Sequence, residues 1–272
     1  MLTFNLSVAG DKSFMTELHD PYQIMPATQA ILSNKTLNSY THCDNPGILI
    51  HINYVTRPFS EKALIPLSFA RENLQMYAAL ADKIGTKNIL IHMPCTSSEM
   101  DSIGFGMKVI LDIFREKEYV IHFEIPSFKA DFVKRTIPAH EYISDYLDEV
   151  ISYSHHFHEN CFKIVMDTAH LFANGCNVDD MILLIEKYKN YIEYIHLNGN
   201  CYQQYHSDKH VPIYSAANKF VSEVDKLMNY LKSSLFIMVA ENTSEHDTWE
   251  NWSTFASTYD IRIIEYNERL SL

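Results

Sequence analysis

Ile48-Leu49-Ile50-His51, Ile89-Leu90-Ile91-His92 and Val120-Ile121-His122-Phe123-Glu124 share one pattern: a short apolar run that finishes on a histidine or an acid. Ile164-Val165-Met166-Asp167, Tyr194-Ile195-His196 and Ile237-Met238-Val239-Ala240-Glu241 repeat it. Apolar runs of about four to eight residues between polar segments read as buried strands of a parallel sheet. Working outward from these six, strands are expected over 2–8, 22–32, 47–53, 88–93, 119–125, 162–167, 191–197 and 235–241. Helical stretches separate them, such as Ile143, Tyr146, Leu147, Val150 and Ile151, or Phe220, Val224, Leu227, Met228 and Leu231, at i, i+3, i+4, i+7 spacing. The stretch from Leu67 to Ile84 stops at Gly85, a residue suited to the left-handed turn after a helix. Strands alternating with helices call for a parallel sheet. Eight such units predict an α/β fold, a (β/α)8 TIM barrel filling one domain over 1–272. Its second βα unit is shortened, because the polar stretch from Ser33 to Pro46 has room only for a loop or a single helical turn.

Composition narrows the setting. No run of about 18 apolar residues is present, which excludes a membrane-spanning helix, and the first residues lack the pattern of an export signal. Five cysteines, Cys43, Cys95, Cys161, Cys176 and Cys201, are spread without a C-x-x-C pair and read as reduced thiols in a cytoplasmic setting. Nuclear or viral-factory use would be equally compatible. Fourteen histidines exceed what packing needs and point toward metal. The formal charge of −12 argues against a surface built to hold nucleic acid by its overall field. It argues less if some acids are ligands, since three divalent ions would add about six positive charges at one spot.

A strand that ends in His, Asp or Glu presents that group at the C-terminal rim of a barrel, where such folds keep their active sites. His51, His92, Glu124, Asp167, His196 and Glu241 all stand at such ends. His170, three residues past Asp167, and the pair Asp208 and His210 add three more ligand types. Any one alone reads as an ordinary rim residue. Nine at ordered positions, five imidazoles and four carboxylates, form a nitrogen and oxygen set suited to clustered zinc ions, because a carboxylate can bridge two metals.

The stretch Val165-Met166-Asp167-Thr168-Ala169-His170-Leu171-Phe172-Ala173-Asn174-Gly175 resembles the LDTCHxFAAG signature of the endonuclease IV family of abasic-site endonucleases. Ser207-Asp208-Lys209-His210 is similar to its SDRH, His196-Leu197-Asn198 to its HLND, and His51-Ile52-Asn53-Tyr54 to its HxPY. The match runs in register over roughly 45–245. The resemblance implies three Zn2+ per chain, with Mn2+ admissible at one position. It implies one ion on His51, His92 and Glu124, a second on Glu124, Asp167, His196 and Glu241, and a third on His170, Asp208 and His210. Glu124 would bridge, and Glu241 would orient the nucleophile. The implied partner is double-stranded DNA containing abasic sites, cut on the 5′ side by a monomer to leave a 3′-hydroxyl. Tyr54, Lys209 and Lys35 would be its DNA contacts; a rim packing role is the other reading of Tyr54.

The chain departs from the family at Gly199, where Asp is usual, at Ile125 in place of Asn, and at Met93-Pro94-Cys95 in place of Pro-Gly. Val211-Pro212-Ile213-Tyr214-Ser215 replaces a glycine-rich tail, and Lys209 replaces an arginine. His155, His156 and His158 make the densest histidine cluster, but they precede a strand and belong on the solvated N-terminal face. His122, two residues before Glu124, points into the barrel as a core residue or as a hydrogen-bond partner of a ligand carboxylate. The competing enzyme class is a metal-dependent sugar isomerase or epimerase of the xylose-isomerase-like barrels, which needs one or two metals; His170, Asp208 and His210 discriminate.

Overall fold

The computed structural model describes residues 3–9, 23–25, 32, 34–38, 40, 42, 47–53, 56–60, 67–130, 132, 136–202, 209–241 and 249–263. Eleven strands lie among them: β1 Thr3–Ala9, β2 Gln23–Met25, β3 Leu49–His51, β4 Asn88–His92, β5 Val120–Glu124, β6 Phe162–Asp167, β7 Ile192–His196, β8 Asn198–Asn200, β9 His210–Pro212, β10 Ile237–Glu241 and β11 Arg262–Ile263. The helices are α1 Asn34–Asn38, α2 Leu67–Ile84, α3 Ser97–Asp101, α4 Ile103–Phe114, α5 Ala139–Ile151, α6 Thr168–Ala173, α7 Val178–Tyr188, α8 Val224–Leu231 and α9 Trp249–Thr258.

Strands β1 to β7 pair in sequence order, β7 pairs β10, and β10 pairs back onto β1, all parallel. That closure makes an eight-stranded TIM barrel. The two-residue β11 adds to β1 outside the ring. Each expected strand is present within a few residues, the second as Gln23–Met25, with residues 26–31 of the expected 22–32 outside the described residues. The shortened second unit carries α1, a single turn of five residues.

Local chemistry explains where the elements stop. Gly85 takes φ 94° and its N–H bonds the Ala81 carbonyl, closing α2 as anticipated. Asn177 and Asp180 form a reciprocal capping box that starts α7. The amphipathic faces read from sequence are the buried ones: Ile143, Tyr146, Leu147 and Val150 on α5, and Val224, Leu227, Met228 and Leu231 on α8, with Phe220 buried just ahead of it.

Two layers of core result. The larger fills the space between strands and helices. The smaller, Leu49, Leu90, Val165, Tyr194 and Val239, fills the barrel itself. These five stand two residues before His51, His92, Asp167, His196 and Glu241. Since side chains alternate along a strand, one apolar layer inside the barrel sets the next positions toward its C-terminal mouth. On β5 the equivalent of that layer is His122, which packs edge-on to Tyr194 at 4.9 Å and lies 3.3 Å from Asn88 Oδ1 through Nε2. His122 is therefore a core residue, one of the two roles expected of it; among the described residues it makes no bond to a ligand carboxylate, because two residues along the strand put it a layer below. Burial above all, then the charges of Lys163 and His196, push its pKa down to about 3.

Cys95, Cys161, Cys176 and Cys201 are free thiols; Cys43 lies outside the described residues. Among the described residues no helix is long and apolar enough to cross a membrane. His155, His156 and His158 lie on the turn between α5 and β6, at the N-terminal end of that strand.

Candidate metal centre

Register brings the strand ends level. His92 lies opposite Glu124 in the β4–β5 pair, and Asp167 opposite His196 in the β6–β7 pair. The first donor group is His51, His92 and Glu124, with Glu124 Oε2 3.2 Å from Nε2 of both imidazoles. His51 Nδ1 lies 2.9 Å from the Ile52 carbonyl, which can only accept, so that nitrogen carries its proton and Nε2 faces the carboxylate. A bare imidazole nitrogen and a carboxylate oxygen at this distance repel unless a cation lies between them. Glu124 Oε2 is buried and makes no well-formed hydrogen bond among the described residues.

The second group is Glu124, Asp167 and His196. His196 Nδ1 stands 2.9 Å from Glu124 Oε1 and 3.5 Å from Asp167 Oδ2. Glu124 thus turns one oxygen to each of two groups, the geometry of a bridging carboxylate. Burial opposes its ionisation, but the His196 and His92 imidazoles beside it hold its carboxyl well below the usual range.

The third group is Asp167, His170 and His210. Asp167 Oδ1 accepts the His170 N–H at 2.9 Å and so caps α6. This cap explains the Asp-x-x-His spacing, since it places His170 in the first turn of the helix beside the strand-end acid. His170 Nδ1 donates to the Ile125 carbonyl at 2.8 Å, leaving Nε2 to face His210 Nε2 at 3.3 Å. Two imidazole nitrogens each about 2.0–2.1 Å from one tetrahedral zinc would stand about 3.3 Å apart. The helix then ends in a Schellman turn: Gly175, φ 102°, bonds Phe172 O, and Cys176 N bonds Leu171 O.

His210 arrives by a route that the sequence reading treated as loop. Strands β8 and β9 form an antiparallel hairpin in which Asn200 faces His210. Gly199 sits in it where the resembled family has Asp, and a Cβ there would lie 2.7 Å from Asn218 Cγ. Asn218 is buried and occupies that space, with its Nδ2 donating to Ile213 O at 2.8 Å.

Two buried amides missed in the sequence support the donors. Gln23 Oε1 lies 2.7 Å from His196 Nε2, which fixes the ring with Nδ1 toward the acids. Asn198 Nδ2 donates to Asp167 Oδ2 at 2.8 Å. The only available signal was an amide inside an otherwise apolar strand at Gln23. Burial raises the Asp167 carboxyl, but His170 and His210 charges and a His196 hydrogen bond outweigh it and leave it lowered.

The structure therefore brings together seven of the nine expected ligands, His51, His92, Glu124, Asp167, His170, His196 and His210. Glu241 ends β10 level with Ser7, and its side chain lies outside the described residues, as do Asp208 and Tyr54. The Lys35 backbone lies in α1, its side chain beyond description. Lys209 is exposed, with its ammonium 5.3 Å from the Tyr202 ring centre. His92 and His210 side chains keep 14% and 9% exposure while Glu124 and Asp167 keep 1% and 0%, so the cluster is open at one edge. Imidazole and carboxylate donors, a shared carboxylate and facing nitrogens fit divalent ions of the zinc type.

The fold is shared with several solved TIM-barrel structures. More particularly, the fold is endonuclease IV-like. The crystal structure of AsfvAP:AG superposes with a TM-score of 0.62 at 14% identity, covering 94% of this chain and 96% of that one. Endonuclease IV from Thermus thermophilus gives 0.60 at 11% identity, covering 94% and 98%. The 3-keto-D-glucoside 4-epimerase YcjR from E. coli gives 0.50 at 12%, covering 96% and 99%. Such identities establish the fold alone. No protein-family model and no curated sequence matches the chain significantly.

Proposed function

We propose that the chain, acting as a single-domain monomer, is a metal-dependent phosphodiesterase that cuts double-stranded DNA 5′ to an abasic site, leaving a 3′-hydroxyl and a 5′-deoxyribose phosphate. The observation that carries this reading is the third donor group, Asp167, His170 and His210, beside the two that share Glu124. A sugar isomerase has use for one or two ions, whereas in-line displacement at phosphorus gains from charge on both the entering and leaving sides.

Three Zn2+ are the ions proposed, with Mn2+ admissible at one position. His51, His92 and Glu124 would hold one, and Glu124, Asp167, His196 and Glu241 another. His170 and His210 would hold the third with Asp208, and Asp167 stands close enough to take part. Bound there, such ions supply Lewis acidity toward water and toward the phosphate oxygens. Glu124 keeps two of the positions adjacent, and the Ile52 and Ile125 carbonyls hold His51 and His170 in the tautomer that offers Nε2. Glu241 would orient the attacking water. Tyr54, Lys209 and Lys35 are the proposed DNA contacts, and the cytoplasm, or a nucleus or viral factory, the place of action.

The test is a labelled duplex with one abasic analogue, incubated with zinc-loaded protein with and without chelator. A single 5′ incision that chelation abolishes and zinc restores is expected. An intact duplex alongside epimerisation of a sugar would overturn the proposal in favour of the isomerase class.

A further inference from the structure

Beside the metal centre lies a cavity of about 170 Å³ walled on one side by His92 and His170, one donor from each of two groups. Cavities that hold whole drug-sized ligands run to about 300–1,000 Å³, so this one suits a fragment. Its outer lip carries Arg57 and Lys129, both exposed, and neither forms an ion pair among the described residues. In a chain of net charge −12, several cations lie against acids, among them Lys117 on Asp82, Arg71 on Asp112 and Lys187 on Asp148, and these are not available to an anion. Two cations facing one cavity beside the donor groups set up a positive lip that a bound anion would complete.

Both stand on anchored backbone. Asn53 Oδ1 accepts from Thr56 N at 3.2 Å and Thr56 Oγ1 at 2.8 Å, and Asn73 on α2 also donates to Thr56 Oγ1. This Asx turn presents the next residue, Arg57. Lys129 N bonds Cys95 O at 2.8 Å, while Phe128 N is held by Asn174 Oδ1 at 2.8 Å. Between them Ser127 Oγ is buried without a hydrogen-bond partner among the described residues, although it lines the cavity. A buried hydroxyl left so is destabilising, and a ligand acceptor would offset that. The acid in the wall, Glu99, has its Oε2 engaged by the Cys95 N–H at 2.9 Å. Burial, then Glu99, pushes the Cys95 thiol up to about 12, so it adds no charge.

We infer that Arg57, Lys129 and Ser127 form a phosphoryl-binding subsite next to the metal centre. Arg57 offers a fork to two phosphate oxygens, Lys129 a point charge, and Ser127 a hydroxyl. On the reading proposed above, on which this assignment of source rests, the ligand is a backbone phosphate of DNA adjacent to the scissile one. The same chemistry could take the phosphate of a free sugar phosphate.

The test compares zinc-loaded wild type with Arg57→Ala/Lys129→Ala. The probe is a labelled abasic-analogue duplex whose scissile 3′-oxygen is replaced by methylene, which preserves charge and cannot be cut. The slope of log affinity against log salt should be shallower in the double variant by about 0.9, the value for one phosphate no longer neutralised. Lys117→Ala, before β5 at the opposite end of the barrel, removes the same charge sign and should leave the slope unchanged. Ribose 5-phosphate, titrated calorimetrically, is the second arm; a tenfold or greater loss of affinity there, with no change on DNA, assigns the subsite to a sugar phosphate. Unchanged slope and unchanged sugar-phosphate affinity would overturn the inference. Hydrolysis of bis(p-nitrophenyl) phosphate by wild type judges the phosphodiesterase reading separately: no turnover with a shifted slope sinks that reading and keeps the subsite.

Discussion

Asn198→Ala isolates one hydrogen bond on which the metal centre depends. Asn198 Nδ2 donates to Asp167 Oδ2 at 2.8 Å, with the two residues 2% and 0% exposed. The Asn198 backbone is held independently, its N–H by Thr168 Oγ1 at 2.9 Å and its carbonyl by the same hydroxyl at 2.5 Å. Alanine therefore removes the amide and leaves the chain path in place. A hydrogen bond to a charged group is worth about 1.5–3 kcal/mol, and here its loss falls on a buried carboxylate. At roughly 2–4 °C per kcal/mol for a chain near this size, the metal-free variant should melt about 4–10 °C lower. The deficit has a defined pH dependence. The Asp167 carboxyl is depressed in the fold, so its contribution is present above the ordinary carboxylate pKa and is lost as acid protonates it. The difference between wild type and variant should accordingly be greatest at neutral pH and shrink toward pH 3. Zinc should shrink it too, by supplying charge to the same carboxylate. Scanning calorimetry of chelated protein at pH 7 and pH 3, and of zinc-loaded protein at pH 7, reads all three effects. Metal-free melting temperatures agreeing within about 1 °C at pH 7 would refute the reasoning.

Glu241→Gln should retain fold and metal yet lose cleavage of the abasic duplex by orders of magnitude; near-normal turnover would remove Glu241 from its proposed role. His210→Ala should lower zinc content by about one ion per chain, measured by atomic emission after dialysis, and an unchanged stoichiometry would count against the third site. His122 is held neutral by burial, while below its ordinary pKa near 6.5 the unfolded chain takes up a proton that the folded chain refuses. Its contribution is therefore intact above pH 6.5 and declines by up to about 1.4 kcal/mol per pH unit as pH falls toward 3. Urea titrations at pH 7 and pH 5 should show wild type losing about 2 kcal/mol more than His122→Leu; equal losses would mean that His122 protonates in the fold.

What could be read in the sequence had a period. Leu49 and His51, Leu90 and His92, Val165 and Asp167 each keep the two-residue alternation of a strand, so apolar run and terminal donor announced both the barrel and its rim. The Asp167 and His170 pair was legible for a second reason, since a cap and a first-turn residue have a fixed offset along the chain. For His122 the sequence leaves a core role and a bond to a ligand carboxylate both open, because alternation gives the face and not the depth: two residues apart on β5, Glu124 reaches the mouth while His122 stays in the layer with Tyr194. What could not be read depends on partners far apart in the chain. Gln23 meets His196 only because β2 closes a ring that β7 also joins, and Asn218 fills the space beside Gly199 only because the β8–β9 hairpin folds back over α6. Arg57 and Lys129 illustrate the same limit from the functional side. Each is an unremarkable surface cation in its own loop, far from the other in sequence, and what singles them out is that both overlook one cavity beside His92 and His170. A shared cavity has no signature in linear order, so specificity is the layer of function that only the folded chain exposes.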